Sequence, residues 1–356
     1  MKTLNLGFDR GNQRTNIAVM TDTGRLLEFD ASSLISEGNL KKYQSLKSGS
    51  GLGETINPNE LMVEYDGSVY FLSDLAEQGL NPTSDFKDKH RYHNKRTQVS
   101  IMCFASLAAA QIWPGIQEFS INLVMGVPLR AYQEQSSKIV EELTGVYRYQ
   151  FNGRDMAISV ETVKVFMEGA GAAIYHGFDK TSTIGIVDSG SLTTNMLRFD
   201  GHKAHTEQCD SFEIGVNNAL YRLSTKFEAK YGRELSEPEM QAVLRASINI
   251  GAYPELYADG IQVSGIDLQQ WVKAAIKETG DEKNAKISSV WSNQSGKVAS
   301  SFKSVLHCGG GAYYFHSSLQ KIIKNAVQIA DPEKANARGY AVLADQIGQR
   351  RALRRA

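Results

Sequence analysis

Phe8-Asp9-Arg10-Gly11-Asn12-Gln13-Arg14-Thr15-Asn16 and Val187-Asp188-Ser189-Gly190-Ser191-Leu192-Thr193-Thr194-Asn195 read in one frame. Asp9 and Asp188, Gly11 and Gly190, Thr15 and Thr194, and Asn16 and Asn195 are each 179 residues apart, so both stretches spell D-x-G-x-x-x-T-N. A lone Asp-x-Gly marks an ordinary turn. Four identities in one register, each between an apolar run and a second alternating run, predict one structural unit used twice.

Working outward, each copy reads as a three-strand meander. Leu4 to Phe8 is the first strand, Thr15 to Met20 the second and Arg25 to Phe29 the third, with turns at Gly11-Asn12 and Asp22-Thr23-Gly24. Thr183 to Val187, Thr194 to Phe199 and His202 to Glu207 repeat the pattern, with turns at Gly190-Ser191 and Asp200-Gly201. After the first meander comes a polar, glycine-rich segment at about 32–96, with a hairpin at Tyr65-Asp66-Gly67-Ser68. A helix at about 97–113, a strand from Phe119 to Gly126, a helix from Pro128 to Gly145 and a hairpin around Asn152-Gly153 follow. After the second meander a helix spans about 211–231, and 232–300 reads as helical. Ser236-Glu237-Pro238-Glu239 is a capping box, and Ile266 to Thr279 is amphipathic. Ser304 to Cys308 is a strand, Gly309-Gly310-Gly311 a turn, and a last helix begins near Pro332.

Composition excludes several classes. The 356 residues carry 39 Lys+Arg against 39 Asp+Glu, so there is no basic footprint for direct, sequence-specific nucleic-acid binding. Apolar residues make up 42%, which fits a globular chain. Cys103, Cys209 and Cys308 stand far apart with no C-x-x-C pair, so a reducing, cytoplasmic setting is expected. Asp9 and Arg10 precede any long apolar run, which argues against a signal peptide, and the apolar stretch Ile101 to Trp113 is too short for a transmembrane segment.

Several segments carry chemistry. A glycine turn lets backbone N–H groups approach a phosphate, and an Asp at a strand end can hold magnesium through its water shell. Two such turns would clamp the phosphates of a nucleotide from both sides. Gly309-Gly310-Gly311-Ala312, between a strand and a helix, lets a ligand lie against the backbone. Val163 to Met167 is an apolar strand ending in the carboxylate of Glu168, followed by small residues, Gly169-Ala170-Gly171-Ala172-Ala173. Ala335-Asn336-Ala337-Arg338-Gly339 in the last helix is equally small, and the matched pair reads as a hinge. The bland reading of Glu168 is a helix-start carboxylate favoured by the helix dipole. Lys89-His90-Arg91-Tyr92-His93 lacks acidic or Cys partners at ligand spacing and reads as a solvated loop or helix start. Arg350-Arg351-Ala352-Leu353-Arg354-Arg355 reads as a solvated helix end, with a weak DNA, membrane or partner contact as the alternative.

In this order, five segments resemble the motifs of the actin, sugar-kinase and heat-shock-chaperone superfamily of ATPases. Phe8 to Asn16 is similar to the phosphate-1 loop, Glu161 to Tyr175 to the first connecting helix and Ile186 to Thr193 to the phosphate-2 loop. Leu306 to Ala312 is similar to the adenosine motif and Asp331 to Tyr340 to the second connecting helix. Leu123-Val124-Met125-Gly126-Val127-Pro128-Leu129, Met167-Glu168 and Ala335 to Tyr340 resemble the prokaryotic actin-like proteins of the plasmid-segregation (ParM-like) group. Two positions depart from the family pattern: Ser191 stands where a second glycine is usual, and Asn195 where an acid is common.

The resemblance implies an α/β fold of two duplicated actin-like (ribonuclease-H-like) domains around a nucleotide cleft, each with an inserted outer subdomain. Domain I would be 1–166 plus the C-terminal helix 333–356, with its insertion at about 32–96. Domain II would be 167–332, with a helical insertion at about 232–300. ATP or GTP would bind with Mg2+ held by Asp9 and Asp188. Asp9, Gly11, Asn12, Thr15, Gly190, Ser191, Gly309, Gly310 and Gly311 would bind the nucleotide, with backbone N–H groups of Gly11, Asn12, Gly190 and Ser191 on the phosphates. Asp188 and Glu168 would be catalytic, Glu168 orienting the attacking water. The implied protein is a slow ATPase, stimulated by polymerisation, whose filaments assemble with ATP and disassemble after hydrolysis. They would move or segregate plasmid or phage DNA through a DNA-binding adaptor protein. A small-molecule kinase, a chaperone-type ATPase and an interaction module without hydrolysis are the competing readings.

Overall fold

A computed structural model of the chain describes residues 1–21, 23–41, 44, 60–84, 88, 90–177, 181–248, 253–258 and 260–355; Asp22 and Lys89, read above as parts of turns or loops, lie outside them. The chain divides into two units, Met1–Gly177 with Lys334–Ala356, and Phe178–Glu333.

The first unit is built on a mixed sheet. β1 (Thr3–Arg10), β2 (Arg14–Met20) and β3 (Leu26–Ser32) form the expected meander, followed by β4 (Ile35–Glu37). β5 (Leu61–Tyr65) and β6 (Ser68–Leu72) close on the Tyr65-Asp66-Gly67-Ser68 turn, where Asp66 and Gly67 both have positive φ. That is the primed turn whose twist matches the strands. A short 3₁₀ helix (Ser73–Gln78), β7 (Leu80–Thr83) and α1 (Lys95–Ile112) come next. β8 (Glu118–Val127), α2 (Leu129–Leu143), β9 (Gly145–Phe151), β10 (Arg154–Met167) and α3 (Ala170–His176) follow. The strand order is β3-β2-β1-β8-β10-β9-β5-β6-β4-β7, so 32–96 contributes strands to the main sheet.

The sheet centre is covered on both faces, which is why β8 is buried almost throughout. Leu4, Leu6 and Phe8 of β1 and Ile121, Leu123 and Met125 of β8 share a core with Met102, Cys103 and Phe104 of α1. On the other face lies the C-terminal helix (Ala335–Arg355), with Tyr340 and Ala344 packed on Val124. Two glycines permit its close approach. A Cβ on Gly7 would fall 2.2 Å from the Ala337 carbonyl oxygen, and one on Gly126 2.1 Å from the Tyr340 hydroxyl. The C-terminal helix begins at Ala335, past Pro332. Its Arg351 is tied down, pairing with Glu161 at 2.9 Å and bonding Thr162, whereas Arg350 and Arg354 are exposed.

The second unit repeats the meander with β11 (Thr183–Ser189) and β12 (Thr194–Asp200). The third strand differs from expectation. β13 is only Lys203–Ala204, and a 3₁₀ turn (Thr206–Gln208) leads into β14 (Asp210–Phe212). Two short pieces therefore share the free edge of β12: β13 pairs with Phe199 and Asp200, β14 with Thr194 to Met196. For the same reason the next helix, α4 (Val216–Tyr231), starts later than 211.

In 232–300, helix is interrupted by strand. α5 (Glu237–Ala246) is started by the capping box, in which the Ser236 N–H donates to Glu239 at 2.8 Å. A small hairpin, β15 (Tyr257–Ala258) and β16 (Ile261–Gln262), precedes the long α6 (Gly265–Trp291). β17 (Ser304–Cys308), α7 (Ala312–Ile322) and β18 (Ala326–Gln328) complete the unit. α6 spans two cores. Leu268, Val272 and Ala275 pack with Leu223 and Phe227 of α4, while Ile287 and Trp291 pack with Val187, Phe302 and Val305.

Candidate functional site

Each repeated turn leaves the end of a buried central strand. In the first unit Asp9 lies opposite Asn16 and Arg10 opposite Thr15; in the second, Asp188 lies opposite Asn195 and Ser189 opposite Thr194. The 179-residue offset of the sequence is thus an identity of ladder register. Both central strands also pair in parallel with a strand on their other side, Phe8 with Met125 and Asp188 with Cys308. Asp9 and Asp188 are both buried, at 9% and 6% exposure, so each turn holds a carboxylate largely out of water.

In the first unit the turn is braced from behind. The Thr15 hydroxyl meets the Ser33 hydroxyl at 2.9 Å, and Ser33 donates to the Gly11 carbonyl at 2.9 Å. A Cβ on Gly11 would fall 2.7 Å from the Arg14 carbonyl oxygen, so the turn requires glycine there. Arg10, almost fully buried, donates to the Arg91 carbonyl at 2.8 Å and to Thr97. Arg91 in turn donates to the Asn12 side-chain oxygen. Arg91, Tyr92 and His93 are all buried, just before α1, which corrects the reading of a solvated loop or helix start at these three residues; His90 is exposed. The sequence signal for this was weak, because nothing in 85–94 is apolar enough to announce burial except Phe86 and Tyr92.

Glu168 sits in the turn after β10, half-buried, its N–H donating to the Val127 carbonyl at 2.8 Å. Its charge, after the larger effect of burial, raises the pKa of the Tyr92 phenol. The residue at the helix start is Gly169, left-handed at φ 95°. Asn336 of the C-terminal helix caps α3 from the side, its oxygen accepting from the N–H groups of Gly169 at 3.1 Å and Ala172 at 3.2 Å. The small residues allow the two helices to touch: a Cβ on Gly339 would fall 1.8 Å from the Gly171 carbonyl oxygen.

In the second unit the turn is built differently at its backbone. The Gly190 N–H donates to the Thr193 carbonyl at 2.8 Å, so this expected phosphate donor is engaged inside the turn. The Gly190 and Ser191 carbonyls accept from the Val216 and Asn217 N–H groups at the start of α4. The glycine turn after β17 packs on the same residues. A Cβ on Gly309 would fall 2.4 Å from the Asp188 carboxylate and one on Gly311 2.8 Å from the Ser189 Cβ, whereas one on Gly310 meets nothing within 4 Å. Gly311 donates its N–H to the Ser189 carbonyl at 2.7 Å. Two of the three glycines are therefore needed for packing against Asp188-Ser189, and the third is the open one.

Behind Ser189 lies a polar group that sequence reasoning missed. Lys283 Nζ is 2.7 Å from Ser189 Oγ, and His307 Nε2 is 2.8 Å from the same oxygen. His307 Nδ1 lies 3.4 Å from His316 Nδ1. The available signal was the buried stripe of α6, Leu268, Val272, Ala275, Thr279, Lys283, Ile287 and Trp291, which puts a lysine where helical spacing asks for an apolar residue.

Comparison with known proteins completes the picture. Residues 8–171 match the family of actin-like proteins, N-terminal domain, and residues 186–321 match the C-terminal family of archaeal actin homologues, MreB-like. The chain is a prokaryotic actin-like protein. Its fold is similar to that of the archaeal actin homologue Ta0583, at TM-score 0.74 and 19% identity over 98% of this chain and 100% of that one. A complex of Ta0583 with ADP superposes at 0.69 and 19% identity over 97% and 100%. A subunit of a 15-stranded ParM filament from Clostridium botulinum gives 0.70 and 18% identity over 97% and 100%. No curated protein matches the sequence. No helix among the described residues of this actin-like chain is long and apolar enough to cross a membrane.

Proposed function

We propose that this actin-like protein is a filament-forming ATPase, using ATP or GTP with magnesium, whose filaments move or segregate plasmid or phage DNA through a DNA-binding adaptor. The observation that carries the reading is the repeated turn, an Asp-x-Gly in the same ladder register in both units, each acid nearly buried at the end of a central strand. The ADP complex of Ta0583 and the ParM filament support nucleotide use and assembly respectively.

The residues fit a metal carried by the nucleotide. Magnesium commonly takes one or two carboxylates and completes its shell with phosphate and water. Among the described residues no group of three or more His, Cys, Asp or Glu could hold a metal unaided, and each turn offers a single acid, Asp9 or Asp188. When bound, magnesium would supply charge neutralisation at the phosphates. Gly11, Asn12 and Ser191 would position phosphate oxygens, and the open Gly310 the nucleoside. Glu168 would orient the attacking water, assisted by Asp188.

The test is nucleotide affinity and phosphate release by the wild type, Asp9→Ala and Asp188→Ala. Both variants are expected to bind Mg-ATP more weakly and to turn over more slowly. Wild-type affinity and turnover in both would remove the turns from the site.

A further inference from the structure

Ser189, between Asp188 and Gly190, is held at three points. Its hydroxyl oxygen meets Lys283 Nζ and His307 Nε2, and its carbonyl accepts from Gly311. Lys283 Nζ donates to the Ser189 oxygen, whose second neighbour is His307 Nε2, and the far ring nitrogen of His307, Nδ1, faces His316. Lys283 is 2% exposed, lies over the Phe315 ring at 4.3 Å, and feels the Asp188 carboxylate. Burial pulls its pKa down to about 7, and Asp188 opposes that fall. Burial, Lys283 and His316 together hold His307 well below the usual imidazole range.

A cation in this place is a poor way to fill a core. An ionisable group taken out of water is costly unless it is paired and hydrogen-bonded. Every other side chain of the α6 stripe from Leu268 to Trp291 that faces either core is neutral. Met would continue the stripe at similar length, and the lysine is the residue that reaches Ser189.

We propose that Lys283 is a positioning residue for the second turn: its nitrogen, 2.7 Å from the Ser189 hydroxyl, fixes the residue that follows Asp188, so that nucleotide turnover depends on a buried lysine outside the turn itself. The proposal rests on the ATPase reading and deepens it. Groups that hold first-line residues in place typically contribute 10–100-fold when removed.

The experiment uses the full chain with Lys283→Met, measuring phosphate release, affinity for Mg-ATP and thermal unfolding. The expected result is turnover reduced roughly tenfold or more with affinity within about threefold, a split that a mere loss of stability does not produce. Ser189→Ala, which removes the lysine's hydrogen-bond partner, should show the same split between turnover and affinity, and it decides the matter if Lys283→Met does not fold. Wild-type turnover in Lys283→Met overturns the positioning role alone. Parallel loss of turnover, affinity and stability in both variants also overturns it, because it makes the lysine merely structural. A wild-type protein that binds Mg-ATP but releases no phosphate overturns the ATPase reading, and the positioning role with it.

Discussion

Asn336 accepts from the Gly169 N–H at 3.1 Å across 167 residues of sequence, so a side chain of the C-terminal helix caps the start of α3. Helix N-termini leave their first N–H groups without intrahelical partners, and Gly169 has no side chain to supply one. We predict that Asn336→Ala destabilises the first unit by about 1–2 kcal/mol, the usual cost of a lost cap with buried donors. Asn336→Asp should recover part of it, because a carboxylate accepts the same bonds. Denaturant unfolding of the three proteins gives the answer, and an Asn336→Ala midpoint equal to wild type would contradict the capping role.

The capping box of α5 predicts a pH dependence. Glu239 is held down to about 2, first by its hydrogen bonds to the Arg233 guanidinium, which outweigh the opposing effect of burial, and then by the Ser236 N–H and hydroxyl. Its folded-state pKa lies below the unfolded value, so its contribution is complete above about pH 5 and fades as pH falls toward 2. We expect Glu239→Gln to speed amide exchange in α5 at pH 7, by an amount matching about 1 kcal/mol. The difference from wild type should shrink progressively below pH 4.5. A difference independent of pH would mean that the carboxylate charge plays no part.

Glu168 separates binding from chemistry. It belongs to the turn between β10 and α3, outside both Asp-x-Gly turns. If it orients water, Glu168→Ala should leave nucleotide affinity within a few-fold while phosphate release falls by ~10²-fold or more. Filaments formed with ATP should then persist, because ADP subunits are not produced. Phosphate release at the wild-type rate would return Glu168 to a helix-start carboxylate.

The duplicated turns were legible because their chemistry is local. Asp9, Gly11, Thr15 and Asn16 announce a strand, a turn and a strand, and the second copy repeats them in register. The α/β actin-like fold could be reached from five such segments. Long-range relations were not legible. Nothing near Asp188 in sequence announces Lys283, 95 residues away, and nothing near Asn12 announces Arg91. The amphipathic pattern of α6 was visible to Thr279, but the stripe continues to Trp291, and its one charged member was hidden by the assumption that lysines face solvent. Similarly, β13 and β14 divide one strand's edge between them, and pairing partners, not local propensity, decide that division.

The central claim is nucleotide-dependent assembly, and sedimentation combined with light scattering tests it most directly. Above a critical concentration, the purified chain should scatter light and pellet with Mg-ATP or a non-hydrolysable analogue, and far less with ADP. A chain that stays in the supernatant at high concentration with every nucleotide would contradict the account.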